Sequence, residues 1–251
     1  GLRDEFVANE ISPSNHSLLA TQFWSAPYKY IYTANLAIEK LEASSLSNTQ
    51  KNMLIGECKF IRAFCYFYLV NLFGDVPLIL KSDFRENSTQ PRSPVRLVYQ
   101  QMEADLKDAQ ARLGTSYGTE RIRPTRWAAT ALLARVYLYE KKWTSAASEA
   151  TTLIGSPVFS LPSLNAVFQK TSPEAIWQLL PVNPTWNTWE GNAILPAAGT
   201  SAPTYYLTPG LLNAFEANDG RKAAWTSTRT FNNQSITYPS KYRVYGNGAP
   251  L

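Results

Sequence analysis

The chain of 251 residues is short of the side chains that carry most protein chemistry, with one histidine and two cysteines. His16 stands alone in the polar stretch Ser12–Ser17, which excludes multi-histidine zinc sites and a helical metal-binding pair. Cys58 and Cys65 fall within one helical pattern, about 10 Å apart along the helix axis. That is too far for a disulfide, so both read as small core residues. No apolar run approaches the ~20 residues needed to span a bilayer, and the opening Gly1-Leu2-Arg3-Asp4 carries no apolar leader. A Gly-rich phosphate loop, a G-x-S-x-G elbow and a Cys–His pair are also missing. Glu190 and Asp219 are carboxylates of the kind a glycosidase pairs, but nothing selects them, and Asp219 reads as the anchor of an Asn218-Asp219-Gly220 turn. The expectation is therefore no enzyme, no cofactor and no metal.

What is present is a folded, moderately basic composition. Hydrophobic residues make up 45% and charged residues 17%, which suits a packed core rather than disorder. The net charge of +5 raises nucleic acid as a partner. The basic residues are scattered, however, and the densest pairs (Lys141-Lys142, Arg221-Lys222) are too small to track phosphates.

The first three-fifths is periodic. Ile31, Ala34, Asn35, Ile38 and Leu41 predict one inward stripe between Tyr28 and Ala43. Leu54, Cys58, Ile61, Cys65, Leu69 and Leu72 predict another between Gln50 and Phe73, with Gly74 as its C-cap and Pro77 blocking continuation. Ser93-Pro94 predicts a capping hydroxyl followed by proline at the first helical position. The stripe Val95, Val98, Met102, Leu106, Ala109 and Leu113 follows. From Thr125 a hairpin runs through Trp127, Leu132, Arg135 and Leu138, turns at Lys141-Lys142-Trp143 and ends at Gly155. Ala128, Ala131, Ala134, Ala146, Ala147 and Ala150 would let its two helices approach closely. Its spacing echoes the tetratricopeptide repeat, although a generic helical hairpin accounts for it equally well. Trp127 and Trp143 are placed in the helical core, and Trp24 is ambiguous.

After Gly155 proline becomes frequent and the helical period fades. Glu174–Leu180 predicts a strand holding Trp177, Thr208-Pro209 a short helix, and Ala224–Phe231 with Ser235–Val244 a pair of strands. Such a loop-rich layer is where binding residues usually sit.

Several segments then resemble the SusD/RagB family. Gly56-Glu57-Cys58-Lys59-Phe60-Ile61-Arg62-Ala63-Phe64, continuing through Tyr66 to Phe73-Gly74-Asp75-Val76-Pro77, is similar to that family's signature helix and turn. Arg123-Pro124-Thr125-Arg126 leading into Ala131–Leu138 looks like its second hallmark. Tyr28-x-x-Ile31-x-x-Ala34-Asn35, Ser172–Trp177 and Glu216-x-Asn218-Asp219-Gly220-Arg221 match in the family's order. Physics explains much of this without function: Gly74 closes a helix, Asp75 and Pro77 set a turn, and Arg62 and Arg135 are expected to satisfy carbonyls or carboxylates at helix contacts.

The resulting architecture is mainly α: tetratricopeptide-like helix pairs (an α–α superhelix) over residues 1–155, carrying a small irregular α+β loop-rich layer over 156–251. Relatives begin with a lipidated cysteine and continue past a strand like Lys241-Tyr242-Arg243 into further helices. The chain is therefore expected to be one piece of a longer protein, with the layer incomplete at its C-terminus. The resemblance implies an outer-membrane, cell-surface lipoprotein of the Bacteroidota type, lipid-anchored in the full-length protein. It would bind an oligosaccharide or polysaccharide and deliver it to a SusC-like TonB-dependent transporter. A peptide-binding relative of the same fold and a tetratricopeptide-type adaptor are the alternatives.

The candidate ligand-binding residues are Trp186, Asn187, Trp189, Glu190 and Asn192, with Tyr205 and Tyr206 second. Sugars present apolar C–H faces rimmed by hydroxyls, so a binder needs flat rings beside amide and carboxylate groups. Asn183–Asn192 supplies that mixture, and its two tryptophans either cover the helical core or meet ligand. Tyr205-Tyr206 is expected to pack against the helix that follows.

Overall fold

The computed structural model describes residues 8, 10, 19–181, 188–197 and 201–245, with only the backbone of Trp189. The chain divides into two compact units. The first comprises Gly1–Tyr117 with Pro124–Gly155, and the second Gly118–Arg123 with Ser156–Leu251.

In the first unit a short π-helix, Leu19–Ser25, leads into α1 (Ala26–Glu42), then α2 (Asn48–Phe73), α4 (Val95–Arg112), α5 (Arg126–Tyr139) and α6 (Trp143–Ile154). A one-turn helix α3 (Phe84–Asn87) and a two-residue antiparallel ladder of β1 (Val76–Pro77) with β2 (Arg92–Ser93) fill the α2–α4 connection. Each long helix packs on its successor: α1 on α2, α2 on α4, α4 on α5, α5 on α6. This is the sequential stacking that short-linked, one-sided apolar helices produce.

Ser47 starts α2 through a reciprocal capping box with Gln50. Gly74 ends it at φ +68°, a conformation costly to other residues. Gly56 has a different reason: a Cβ there would lie 2.9 Å from Leu113 Cγ, so hydrogen at this position lets α2 and α4 close up. The core runs through Ile31, Phe60, Ala63, Tyr66, Leu69, Val98, Met102, Leu106, Leu133 and Val136.

One charged pair lies inside this core. Arg62 donates from Nε and Nη2 to the two carboxylate oxygens of Asp105 (2.8 and 2.6 Å) and from Nη1 to Asn35 Oδ1 (2.7 Å). Asn35 Nδ2 in turn donates to the carbonyls of Ile79 and Lys81. Nearby, the Tyr66 hydroxyl accepts from Ile79 N–H (2.6 Å), and Tyr28 donates to the Pro77 carbonyl (2.8 Å). Burial raises both phenols above the ordinary tyrosine range. Burial also pushes the Cys65 thiol up to about 12; both cysteines are free, Cys65 in the core as expected and Cys58 only half-buried.

The structure corrects the sequence reading at four points in this unit. The buried arc of α2 is displaced from the expected stripe: Ile55, Phe60, Ala63, Tyr66, Phe67 and Val70 are buried with Cys65 and Leu69, while Leu54, Cys58 and Ile61 are half-buried and Leu72 is exposed. The cause is that α2 is covered by α1 and by α4, so one line of residues cannot describe its inner face. Ser93 does not cap α4, because the β1–β2 register Val76↔Ser93 takes it into the ladder. Asp75 replaces it, accepting from Val95 N–H at 2.9 Å. Trp143 is 60% exposed at the start of α6 rather than in the core, and Arg135 lies exposed on α5 rather than in a helix contact.

The second unit contains the short helices α7 (Trp189–Ile194), α8 (Pro209–Asn213) and α9 (Gly220–Trp225), and one hairpin of β3 (Thr226–Phe231) with β4 (Gln234–Pro239). The hairpin is antiparallel with Thr228 opposite Thr237, and its turn uses Asn232 and Asn233 at positive φ. Glu174–Leu180 is not a strand. Trp177 Nε1 donates to the Ile122 carbonyl (3.0 Å) and Gln178 N–H to the Arg121 carbonyl (2.8 Å), so this stretch is held by the 118–123 segment without a ladder. Arg121 bonds the carbonyls of Pro173, Ala175 and Val158 and lies over the Phe159 ring.

Candidate functional site

The predicted binding residues all fall in the second unit. Trp186 and Asn187 lie outside the described residues. Trp189, Glu190 and Asn192 lie on α7, whose N-cap Thr188 accepts from Gly191 N–H at 2.9 Å. Glu190 is exposed and Asn192 half-buried. Tyr205 and Tyr206 are 42% and 67% exposed, so they do not pack away under α8 as expected.

The hairpin explains how these pieces are placed. Arg229 of β3 donates to the carbonyls of Ala197 and Ser201, at 3.1 and 3.0 Å, and so fixes the chain just after α7. Leu207 N–H donates to the Thr237 carbonyl (2.8 Å), which sets the segment carrying Tyr205 and Tyr206 beside β4. α7 itself rests on the irregular segment after β4. A Cβ on Gly191 would meet the Val244 carbonyl at 3.3 Å and Tyr242 Cβ at 3.4 Å.

An aromatic group that the sequence reading did not assemble adjoins α7. Phe168 packs edge-on against Trp225, with ring centroids 5.2 Å apart, and lies tilted against Tyr242 at 5.6 Å. Lys241 Nζ sits over both the Phe168 and Tyr242 rings, 4.9 and 5.3 Å from their centroids. Trp225 Nε1 donates to the Leu164 carbonyl, and Arg243 donates to Asn165 Oδ1 and the Ala224 carbonyl. All three rings are half-buried, so each keeps an accessible surface. Burial raises the Tyr242 phenol, and the charge of Glu190 adds to the shift, which ties the α7 carboxylate electrostatically to this group. Among signals in the sequence, only Lys241-Tyr242-Arg243 marked the place; Phe168 and Trp225 belong to no period.

Chemically the arrangement offers ring faces, a carboxylate, amides and a cation. Rings can cover apolar C–H surface while the polar groups beside them hydrogen-bond. The Asp219 carboxylate caps α9 through Arg221 N–H (2.9 Å) and pairs with the Arg221 guanidinium, which holds it below the ordinary carboxylate range, so it is committed to the turn. No group of three or more potential metal ligands occurs among the described residues.

This helical scaffold with its loop-rich second unit is that of the SusD-like proteins, and the chain belongs to that family. The family described as "SusD-like_3: Starch-binding associating with outer membrane" matches residues 5–138. A SusD-like protein P25 of Formosa agariphila is 29% identical over 163 residues, covering 62% of this chain and 31% of the relative. The chain thus spans under a third of the length of the curated relatives it matches. A crystal structure of a SusD superfamily protein from Parabacteroides distasonis superposes with TM-score 0.78 at 25% identity, over 95% of this chain and 58% of that one. A laminarin-binding SusD-like protein superposes with TM-score 0.74 at 23% identity, over 89% and 58%, a likeness of fold. Among the described residues no helix is long and apolar enough to cross a membrane.

Proposed function

We propose that this chain is part of a cell-surface protein that binds a glycan at the outer membrane and hands it to a SusC-like TonB-dependent transporter. Its task is capture, without turnover. The observation that carries the reading is the second unit's mixture of accessible aromatic rings with hydrogen-bonding groups on and beside α7, within a chain of the SusD-like family. Ring faces gain by covering the C–H faces of sugars, while Glu190, Asn192 and the loop amides match hydroxyls. Trp186, Asn187, Trp189, Tyr205 and Tyr206 complete the proposed ligand surface. Anchoring is through an N-terminal lipid in the full-length protein.

A binding screen against plant, host and microbial polysaccharides, by affinity electrophoresis or calorimetry, tests this. One glycan class should retard the wild type, and a Trp186→Ala/Trp189→Ala double variant should weaken that binding by about tenfold or more. Binding that survives the double variant moves the site to the Phe168–Tyr242 group. No glycan binding, with capture of peptides instead, would replace this reading by a peptide-binding member of the same fold; capture of folded proteins alone would favour a tetratricopeptide-type adaptor.

A further inference from the structure

Four charged side chains meet where α4 passes the α5–α6 turn in the first unit. Glu103 of α4 takes two lysines, Lys142 on Oε1 and Lys107 on Oε2, the latter at 3.1 Å. Glu140, at the C-cap of α5, takes only Lys142, on Oε1 at 3.2 Å. The other Glu140 oxygen, Oε2, is buried and meets no donor. Sharing the Lys142 ammonium brings the two carboxyl groups together, and each shifts the other's ionisation. Two ionised carboxylates on one ammonium repel, so their closeness favours a proton on one of them. The lysines decide which group carries it: Glu103, with a cation on each oxygen, stays ionised, and the orphaned Oε2 of Glu140 is the atom a proton would satisfy.

We propose that Glu103 and Glu140 form a proton-operated latch, in which Glu140 Oε2–H donates to the Glu103 carboxylate and fastens the α5–α6 turn to α4. The surroundings fit. Burial raises Glu140 above the usual glutamate range and the neighbouring Glu103 carboxylate adds to it. For Glu103 burial opposes ionisation, but the hydrogen bonds from Lys142, Glu140 and Lys107 outweigh it and hold its carboxyl below that range. The other titratable groups facing the pair are Tyr99 and Lys107 from α4, Tyr137 and Tyr139 from α5, and Lys142 from the turn. From α2 comes the neutral Asn71 amide, which reaches Tyr99 at 3.0 Å.

The sign follows from linkage. A carboxyl whose folded pKa is raised contributes stability below its unfolded pKa and loses it as pH rises through the folded pKa. The latch is therefore closed in mild acid and opens towards neutral pH. Glu103 works the other way and is lost only in stronger acid, below its lowered pKa.

Carboxyl carbon NMR titration of the folded chain, with thermal melts across the same pH range, tests the latch. Glu140 should titrate above an ordinary glutamate, and the Glu103→Gln variant should bring it back towards the ordinary value. Glu140→Gln supplies an N–H donor at every pH, so its melting temperature should exceed the wild type's at neutral pH and lose part of the pH slope. A Glu140 midpoint at or below the ordinary value, or an unchanged slope in Glu140→Gln, overturns the proposal.

Discussion

The two units are built on opposite plans. In the first, an unbroken series of aliphatic and aromatic side chains is fully buried, from Ile31 on α1 to Ala146 on α6. In the second, among the described residues, no aliphatic or aromatic side chain other than proline reaches that state, and the buried polar residues are Ser156, Ser172 and Ser240. Its order comes from arginines that reach backbone carbonyls (Arg121, Arg229, Arg243) and from half-buried rings leaning on one another. Apolar burial supplies most of the free energy of folding. The first unit is thus the scaffold. The second is a surface held in shape by directional bonds, and it leaves its rings partly accessible.

The largest expected effect comes from a place where the scaffold breaks its own rule. Arg62 and Asp105 are a buried charged pair inside an apolar stack. Asp105→Ala leaves the guanidinium buried with only Asn35 as a partner, and should cost about 3–5 kcal/mol in chemical denaturation. Replacing the pair together by leucine and methionine should recover most of that loss, because well-packed apolar side chains substitute for buried ions at little cost. A double variant as unstable as the single one would mean that the pair does more than fill and neutralise the core.

A phenylalanine in each unit makes the comparison direct. Phe60 is 2% exposed on α2, whereas Phe168 is half-buried between Trp225 and Tyr242. Phe60→Ala should lose about 3–4 kcal/mol, since removal leaves a cavity that the helices cannot close. Phe168→Ala should lose about 1–2 kcal/mol, the contribution of partly covered apolar area, and should leave the helical far-UV signal unchanged. Equal losses would mean that the second unit has a working core after all.

The same contrast explains what the sequence could reveal. Helices α1 and α4 were legible because each buries one face at a fixed period. Of the stripe Val95, Val98, Met102, Leu106, Ala109 and Leu113, all but the half-buried Val95 are buried, the Gly74 stop was read directly, and Arg62 was placed at a helix contact from its isolation on an apolar helix. Period alone failed where a second partner intervened. α2 is covered on two sides, and Ser93 yields its capping role to Asp75, eighteen residues upstream. In the second unit the controlling bonds join residues such as Arg121 and Ala175, or Arg243 and Asn165, far apart in sequence and without pattern. Ile176 and Trp177 alternate as a strand would, yet their segment is held by bonds to 121 and 122. The aromatic group of Phe168, Trp225 and Tyr242 was invisible for the same reason: three segments, each unremarkable alone, supply one ring apiece.

The smallest expected effect pairs two aspartates doing one job. Asp75 accepts from the first N–H of the eighteen-residue α4, and Asp219 from Arg221 N–H at the start of the six-residue α9. Asp75→Ala frees a donor at the head of a helix packed on both α2 and α5, so the loss is transmitted to the whole scaffold and should amount to about 1 kcal/mol. Asp219→Ala removes a cap of similar geometry, but from a short, exposed helix with little buried against it. Its melting temperature should match the wild type, and only amide exchange over residues 220–225 should quicken. A cap is worth what its helix is packed into. If Asp219→Ala lowered the melting temperature as far as Asp75→Ala does, the second unit would share the scaffold's cooperativity, and its rings would have to be counted as structure before they could be counted as a binding surface.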